Sequence, residues 1–165
     1  MQNWKKVFGI IWSGQLISTL SSSIVGYAVV FWLSIETKSA GVLALATIAA
    51  LLPQMIFGPF TGVFVDRWDR RVTMIAADLF IAVCTFLMAL MFLSGNVKIS
   101  LVYVLLVMRS LGSAFHVPAM QASVPLLAPE NELMRISGIN QVIQSVSVIA
   151  GPALAALLIT VLNMV

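Results

Sequence analysis

Five long runs of uncharged or nearly uncharged residues constrain what this 165-residue chain can form. Each run exceeds the roughly 20 residues that an α-helix needs to cross the hydrocarbon core of a bilayer. The runs cover residues 7–35, 39–65, 72–97, 99–129 and 136–165. The chain is also 61% apolar and only 9% charged, well outside the composition of water-soluble domains. The sequence therefore predicts an integral membrane protein with five spanning helices.

Two alternatives for these runs are less favoured. Lys5 and Lys6 precede the first run, as basic residues do in a signal peptide. That run is about twice as long as the apolar region of such a peptide, and no clear small-residue cleavage site follows it. Spanning β-strands would alternate polar and apolar residues over about ten positions, which these runs do not. The single Cys84 excludes a disulfide within one chain, no Cys/His cluster indicates a metal, and we expect no cofactor.

The basic residues of the short connections predict the orientation of the chain. With five spans, six of them fall on one side of the membrane, whereas only Lys38 and Lys98 fall on the other. The six are Lys5, Lys6, Arg67, Arg70, Arg71 and Arg135. The positive-inside rule makes their side cytoplasmic, so we expect a multi-pass protein of the cell membrane with a cytoplasmic N-terminus. The net charge of +3 is then explained by the basic residues that set the topology. Nothing in the sequence resembles a nucleic-acid-binding surface or a hydrophilic enzyme domain.

The fold class predicted from these features is all-α, a bundle of five transmembrane helices. Short connections favour antiparallel packing of consecutive helices, so we expect one compact transmembrane domain over residues 1–165. The predicted spans are approximately residues 7–35, 40–65, 72–94, 99–126 and 136–162.

A dense charge cluster occupies the predicted cytoplasmic turn between helices 2 and 3. In GVFVDRWDRR, residues 62–71, two aspartates and three arginines lie within six positions. A topological anchor would need only the arginines, so the mixed signs indicate specific pairing. Gly58, Gly62 and Asp66 recur every four residues and share one helical face, where small residues permit close approach of another helix. Asp66 would then accept hydrogen bonds from a neighbouring helix N-terminus or an arginine.

This turn resembles the G-x-x-x-D-R-x-G-R-R signature of major facilitator superfamily transporters. The match covers Gly62, Asp66, Arg67, Arg70 and Arg71, and fails at Asp69, where the family usually has glycine. The resemblance implies that the motif latches the two halves of the transporter in the outward-facing state. Aspartate tolerates left-handed backbone better than most residues, which would preserve the turn, although its carboxylate could also re-pair the arginines.

A second resemblance lies in helix 5, where the spacing follows the antiporter signature of drug exporters in that family. Its positions here are Gly138, Ser147, Gly151, Pro152, Ala155 and Ala156, with three glycines of the signature replaced by other small residues. Small residues at every fourth position beside a proline suit close packing and a bend. A role in packing alone is an equally weighted alternative. We expect the small-residue faces of helices 2 and 5 to await partners outside this chain.

Three ionisable residues within the spans are candidates for proton coupling or for lining a substrate cavity. Arg109 would lie about 16 Å into helix 4, near the bilayer centre, where an arginine needs a partner or a water-filled cavity. It resembles the arginine of the family's helix-4 signature, although Gly112 replaces the expected glutamine. For His116, a hydrogen-bonded packing role is favoured over titration. For Asp78, pairing with the cytoplasmic arginines is favoured over proton transport.

Within the superfamily, the chain resembles the macrolide efflux branch of drug:proton antiporters. The stretches that carry this likeness are 66–71, 74–79, 109–119 and 124–130, and the resemblance extends over essentially the whole chain. It implies proton-driven export of a bulky amphiphilic drug such as a macrolide, with the lipid bilayer, the drug and protons as partners.

Length separates two functional hypotheses. Transporters of this superfamily have two six-helix halves with the substrate site between them, whereas this chain supplies five predicted spans. We therefore expect an N-terminal portion of an efflux transporter, inactive alone, whose missing C-terminal half is supplied by further sequence or by another chain. The alternative is a truncated, non-transporting membrane protein or a helical bundle that binds a partner.

Overall fold

A computed structural model describes residues 4–127 and 129–161, and the helices in these ranges agree with the predicted fold class. The five helices are α1 (Trp4–Thr37), α2 (Ala40–Val65), α3 (Arg70–Leu93), α4 (Ile99–Leu127) and α5 (Leu133–Val161). A short 3-10 helix, Glu130–Glu132, precedes α5. Each of these five α-helices has the length and the apolar composition needed to cross a membrane. The prediction of an all-α membrane protein with five spanning helices is confirmed, while residue 162, the predicted end of the last span, lies outside the described ranges.

The described chain divides into two compact units. One contains α2, α3 and α4 up to Ser123, and the other contains α1 to Glu36 together with the segment from Val124 through α5. The expectation of a single domain over residues 1–165 stays a prediction.

In the first of these units, hydroxyl groups join α2 to α4. The backbone N–H of Gln54, which follows the helix-interior Pro53, donates to Oγ of Ser110 at 3.1 Å. Two residues after Pro59, Oγ1 of Thr61 donates to the carbonyl oxygen of Ala114 at 2.6 Å. Inside a bilayer no water satisfies such groups, so hydrogen bonds between helices hold them in register.

The same unit packs α3 closely against α4 at Gly112. A Cβ added to this glycine would lie 2.7 Å from Cγ1 of Ile81 and 3.1 Å from Cδ1 of Phe80. The missing side chain thus allows the two helices to approach closely. Contacts of α4 with progressively earlier residues of α3, from Thr85 to Met74, show that the two helices run antiparallel.

In the second unit, α1 packs along α5. The indole Nε1 of Trp12 donates to Oδ1 of Asn140, and Oγ of Ser23 donates to the carbonyl oxygen of Ser147 at 2.8 Å. Gly151 lies against Ser23 and Tyr27, so closely that an added Cβ would collide with the serine hydroxyl. The polar residues of helix 1 therefore serve, at least at Ser23, in close packing.

Candidate functional site

The charged turn between α2 and α3 is built around Asp69. Its Oδ1 accepts hydrogen bonds from the backbone N–H groups of Arg71 and Val72, at 2.9 and 3.1 Å, and caps the N-terminus of α3. Its φ of −65° and ψ of 112° are extended rather than left-handed. The expectations of a left-handed backbone and of re-paired arginines at this position are therefore not met. Aspartate is among the residues most favoured as an N-cap, because it satisfies backbone donors that the first helical turn leaves free.

Asp66 lies at the end of α2, as its spacing from Gly58 and Gly62 predicted, but its carboxylate lacks the predicted partner among the described residues. It is the C-cap of α2, with its backbone N–H directed at the carbonyl oxygen of Gly62, and its side chain is exposed. Within residues 4–127 and 129–161, its carboxylate takes part in no hydrogen bond or ion pair. The N-terminus of α3, the next helix along the chain, is capped by Asp69. The Asp66 carboxylate is thus available to a group outside the described residues.

The glycine face that leads to Asp66 is open. A Cβ at Gly58 or Gly62 would meet nothing within 4 Å among the described residues. Among the residues that the structure describes, no helix therefore packs closely on these two glycines of α2.

In contrast to the open glycine face of α2, three small residues of α5 are buried. Ser147, Gly151 and Ala155 are buried, and the contacts of Ser147 and Gly151 are with α1. Of the other residues of the motif, Gly138 and Ala156 are exposed and Pro152 is half-buried. The expectation that this face awaits a partner outside the chain is wrong, because α1 already covers part of it.

Two ionisable residues predicted separately lie together in the structure. Nε2 of His116 in α4 lies 3.3 Å from Oδ1 of Asp78 in α3, within ion-pair distance. The two side chains are not oriented to form a hydrogen bond with each other. The buried Nε2 of His116 has no hydrogen-bond partner among the described residues. Asp78 was expected to pair with the cytoplasmic arginines, and the described part of the chain places it on the histidine instead. The helical register explains this, since Asp78 faces α4 at the level of His116 while the arginines lie two turns away.

Arg109 is buried in α4, with 8% of its surface exposed. Its Nη1 donates to Oγ1 of Thr85 in α3, and that hydroxyl donates in turn to the carbonyl oxygen of Ile81. The guanidinium thus lies against α3 on the same side of α4 as Gly112 and His116. Thr85 was not singled out from sequence, because a threonine in an apolar span carries no signal of its partner.

A groove extends from the charged turn along α3 and α4, with a volume of about 800 Å³. Its aromatic wall is formed by Trp68 and Phe115, whose rings stack with an interplanar angle of 8°. Sequence analysis did not predict this feature, because the lining comes from three segments. They contribute Arg67, Trp68, Asp69, Val72, Thr73, Ala76, Ala77, Phe80, Leu111, Gly112 and Phe115. In the described residues, no group of three His, Cys, Asp or Glu side chains is arranged to hold a metal ion.

Comparison with known families identifies the class of protein to which these helices and motifs belong. The model of the Major Facilitator Superfamily matches residues 11–164. The chain belongs to this superfamily of multi-pass membrane transporters.

Individual proteins of known sequence also match this chain. Macrolide efflux protein A of Streptococcus pyogenes is 43% identical over 159 residues, which are 96% of this chain and 39% of that protein. Macrolide efflux protein A of Enterococcus faecalis is 43% identical over 123 residues, 74% of this chain and 38% of the relative. The uncharacterized MFS-type transporter YfiS of Bacillus subtilis is 30% identical over 121 residues, 71% of this chain and 27% of YfiS. This chain thus spans about two-fifths of the length of the macrolide efflux relatives. No solved structure matches it significantly.

The resemblance to the macrolide efflux branch, predicted from sequence motifs, is confirmed by these relatives. The chain is accordingly related to transporters of the efflux type.

Proposed function

We propose that this chain is the N-terminal portion of a proton-coupled transporter that exports macrolides or similar bulky amphiphilic drugs. The observation that carries the proposal is the 43% identity to macrolide efflux protein A over 96% of the chain. Such identity supports a shared substrate class, because a substrate cavity is built from side chains on several helices at once. In this proposal the protein lies in the cell membrane with its N-terminus in the cytoplasm, as the distribution of basic residues favours.

Residues of the first unit have distinct roles in the proposal. Asp66 and the arginines at 67, 70 and 71 form the latch toward a second half, which the unoccupied Asp66 carboxylate and the open glycine face of α2 support. Arg109, Asp78 and His116 belong to proton coupling or to the substrate cavity. Their burial or mutual contact supports this role, since ionisable groups inside a membrane are costly and are retained where they function.

Transport requires a second helical bundle in this proposal. Alternating access is the movement of one bundle against another around a central site. We therefore propose that residues 1–165 alone do not transport, and that the rest of the cavity comes from further sequence or from another chain. The open face of α2 is the surface that favours such a partner.

A chimera tests the proposed function. In macrolide efflux protein A of Streptococcus pyogenes, the aligned 159-residue segment is replaced by the matching residues of this chain. We expect a macrolide-susceptible host that carries the chimera to accumulate less labelled macrolide, and a protonophore to abolish the difference. The controls are residues 1–165 alone and the relative lacking its segment, both of which we expect to be inactive. Accumulation equal to that of the bare host, with the chimera present in the membrane at normal abundance, would contradict the proposal.

If residues 1–165 alone lower the accumulation of the drug, the proposed need for a second bundle is wrong. That result would indicate an assembly of several copies of this chain.

A further inference from the structure

The groove between the charged turn, α3 and α4 has the length of one leaflet of a bilayer. It runs from Asp69, the N-cap of α3, to Phe80, a separation of eleven positions that corresponds to about 16 Å of helix. A hydrocarbon core is about 30 Å thick, so one leaflet contributes about 15 Å. The groove therefore begins at the membrane edge and ends near the bilayer centre, as an acyl chain does.

The walls of the groove suit an apolar chain. Val72, Ala76 and Phe80 lie along α3, and Phe115 lies on α4 behind the stacked ring of Trp68. The α3 residues named here are exposed, so the groove is open along its side. A tryptophan at the end of a spanning helix is typical of the interface between hydrocarbon and head groups.

The end of the groove at the charged turn, its mouth, has one basic and one acidic side chain, those of Arg67 and Asp69. Arg67 lines it, and no arginine at 67, 70 or 71 forms an ion pair with a carboxylate of the described residues. The one carboxylate that lines the mouth belongs to Asp69, and one of its oxygens accepts two backbone N–H groups of α3. The mouth thus presents the Arg67 guanidinium, which forms no ion pair within the described residues and suits a phosphate.

We propose that this groove binds one anionic phospholipid of the leaflet that faces the charged turn. One acyl chain lies along α3 against Trp68, and the phosphate lies at Arg67. Basic sites between spanning helices at the cytoplasmic side are known to bind anionic head groups, which is the chemistry assigned here. The inference concerns a lipid and does not depend on the exported substrate.

Quenching of tryptophan fluorescence by brominated lipids tests the proposal. The 165-residue chain is reconstituted in vesicles of equal parts phosphatidylglycerol and phosphatidylcholine, with bromine on the acyl chains of one lipid at a time. The signal of Trp68 is the difference between the wild type and Trp68→Phe. We expect the brominated phosphatidylglycerol to occupy the groove about fivefold more often than brominated phosphatidylcholine, as one arginine near the surface implies.

Variants with matched controls separate charge from shape. Arg67→Gln should remove most of the fivefold preference, Arg67→Lys should keep it, and Arg135→Gln, an equal charge loss at another exposed arginine, should leave it unchanged. Ala76→Phe, which fills the groove, should protect Trp68 from both brominated lipids. Ala82→Phe, at an exposed α3 position outside the groove, should not.

Two results would overturn the inference. Equal quenching of Trp68 by the two brominated lipids would exclude a preference for anionic head groups. Absence of quenching by either lipid would mean that protein, such as a second copy of the chain, covers the groove. Because no drug is present, neither result bears on the proposed export function.

Discussion

His116 of α4 and Asp78 of α3 lie with Nε2 and Oδ1 3.3 Å apart, and this contact joins two antiparallel helices. The histidine is buried, whereas the aspartate side chain is 37% exposed, so the pair is partly screened. A partly exposed ion pair contributes little to stability, and only a protonated imidazole carries the charge that the pair requires.

A double-mutant cycle of Asp78→Asn and His116→Gln measures this contact. We expect a coupling free energy of about 0.5 kcal/mol, near the lower end for residues in contact, because of the partial exposure. The measurement is unfolding of the purified chain in mixed micelles, followed by circular dichroism. A coupling free energy of zero would show that the proximity of the two side chains has no energetic consequence.

The two aspartates of the charged turn should differ in what their loss affects. Asp69→Ala should lower the free energy of unfolding by about 1 kcal/mol, because two N–H groups of α3 lose their acceptor. Asp69→Gly, which restores the usual residue of the family, should cost only a few tenths of a kcal/mol. Asp66→Asn should leave stability unchanged, since its carboxylate has no partner in the described chain, but should impair export by the chimera. Normal drug export by Asp66→Asn at normal abundance would exclude the latch.

Arg109 should be required for export rather than for insertion. Arg109→Ala should abolish proton-coupled export by the chimera, and Arg109→Lys should restore it poorly, because an ammonium group lacks the planar fork of donors. The control is Thr85→Val, which removes the hydroxyl at the guanidinium while keeping the volume similar. Drug accumulation and protein abundance are measured together in membranes. Full activity of Arg109→Ala would mean that the arginine serves packing only.

Two glycines of the same motif should respond oppositely to alanine. Gly151→Ala should destabilise the chain by about 1–3 kcal/mol, because the added methyl group collides with Ser23. Ser23→Ala in the same chain should recover part of the loss, as it removes the hydroxyl that the methyl group meets. Gly138→Ala should instead stabilise α5 by about 0.5–1 kcal/mol, since its Cβ enters open space. Equal effects of the two substitutions on unfolding in mixed micelles would contradict the packing of α1 on α5.

The sequence alone determined the membrane class, the five spans and the family, because hydropathy and motif spacing are properties read along the chain. It likewise placed Arg109 deep in a span, since depth follows from counting residues along a helix. Only the tertiary structure decided which side chains meet. Thr85 and Arg109 are 24 residues apart, and their contact follows from the antiparallel packing of α3 and α4 around Gly112.

The charged turn shows the same division within six residues. Sequence identified the cluster, but offered Asp66 as the acceptor for a helix N-terminus or an arginine, and gave Asp69 a turn conformation or a pairing with the arginines. The backbone decides between them, because the extended conformation of Asp69 directs its carboxylate at the N–H groups of α3, whereas Asp66 continues the helical path of α2. Small residues on α2 and α5 gave equal signals in sequence, and only the packing of α1 distinguished the covered face from the open one. The pattern of small residues along one helix predicts which of its faces another helix can approach closely. The positions of the other helices determine which helix, if any, packs on that face.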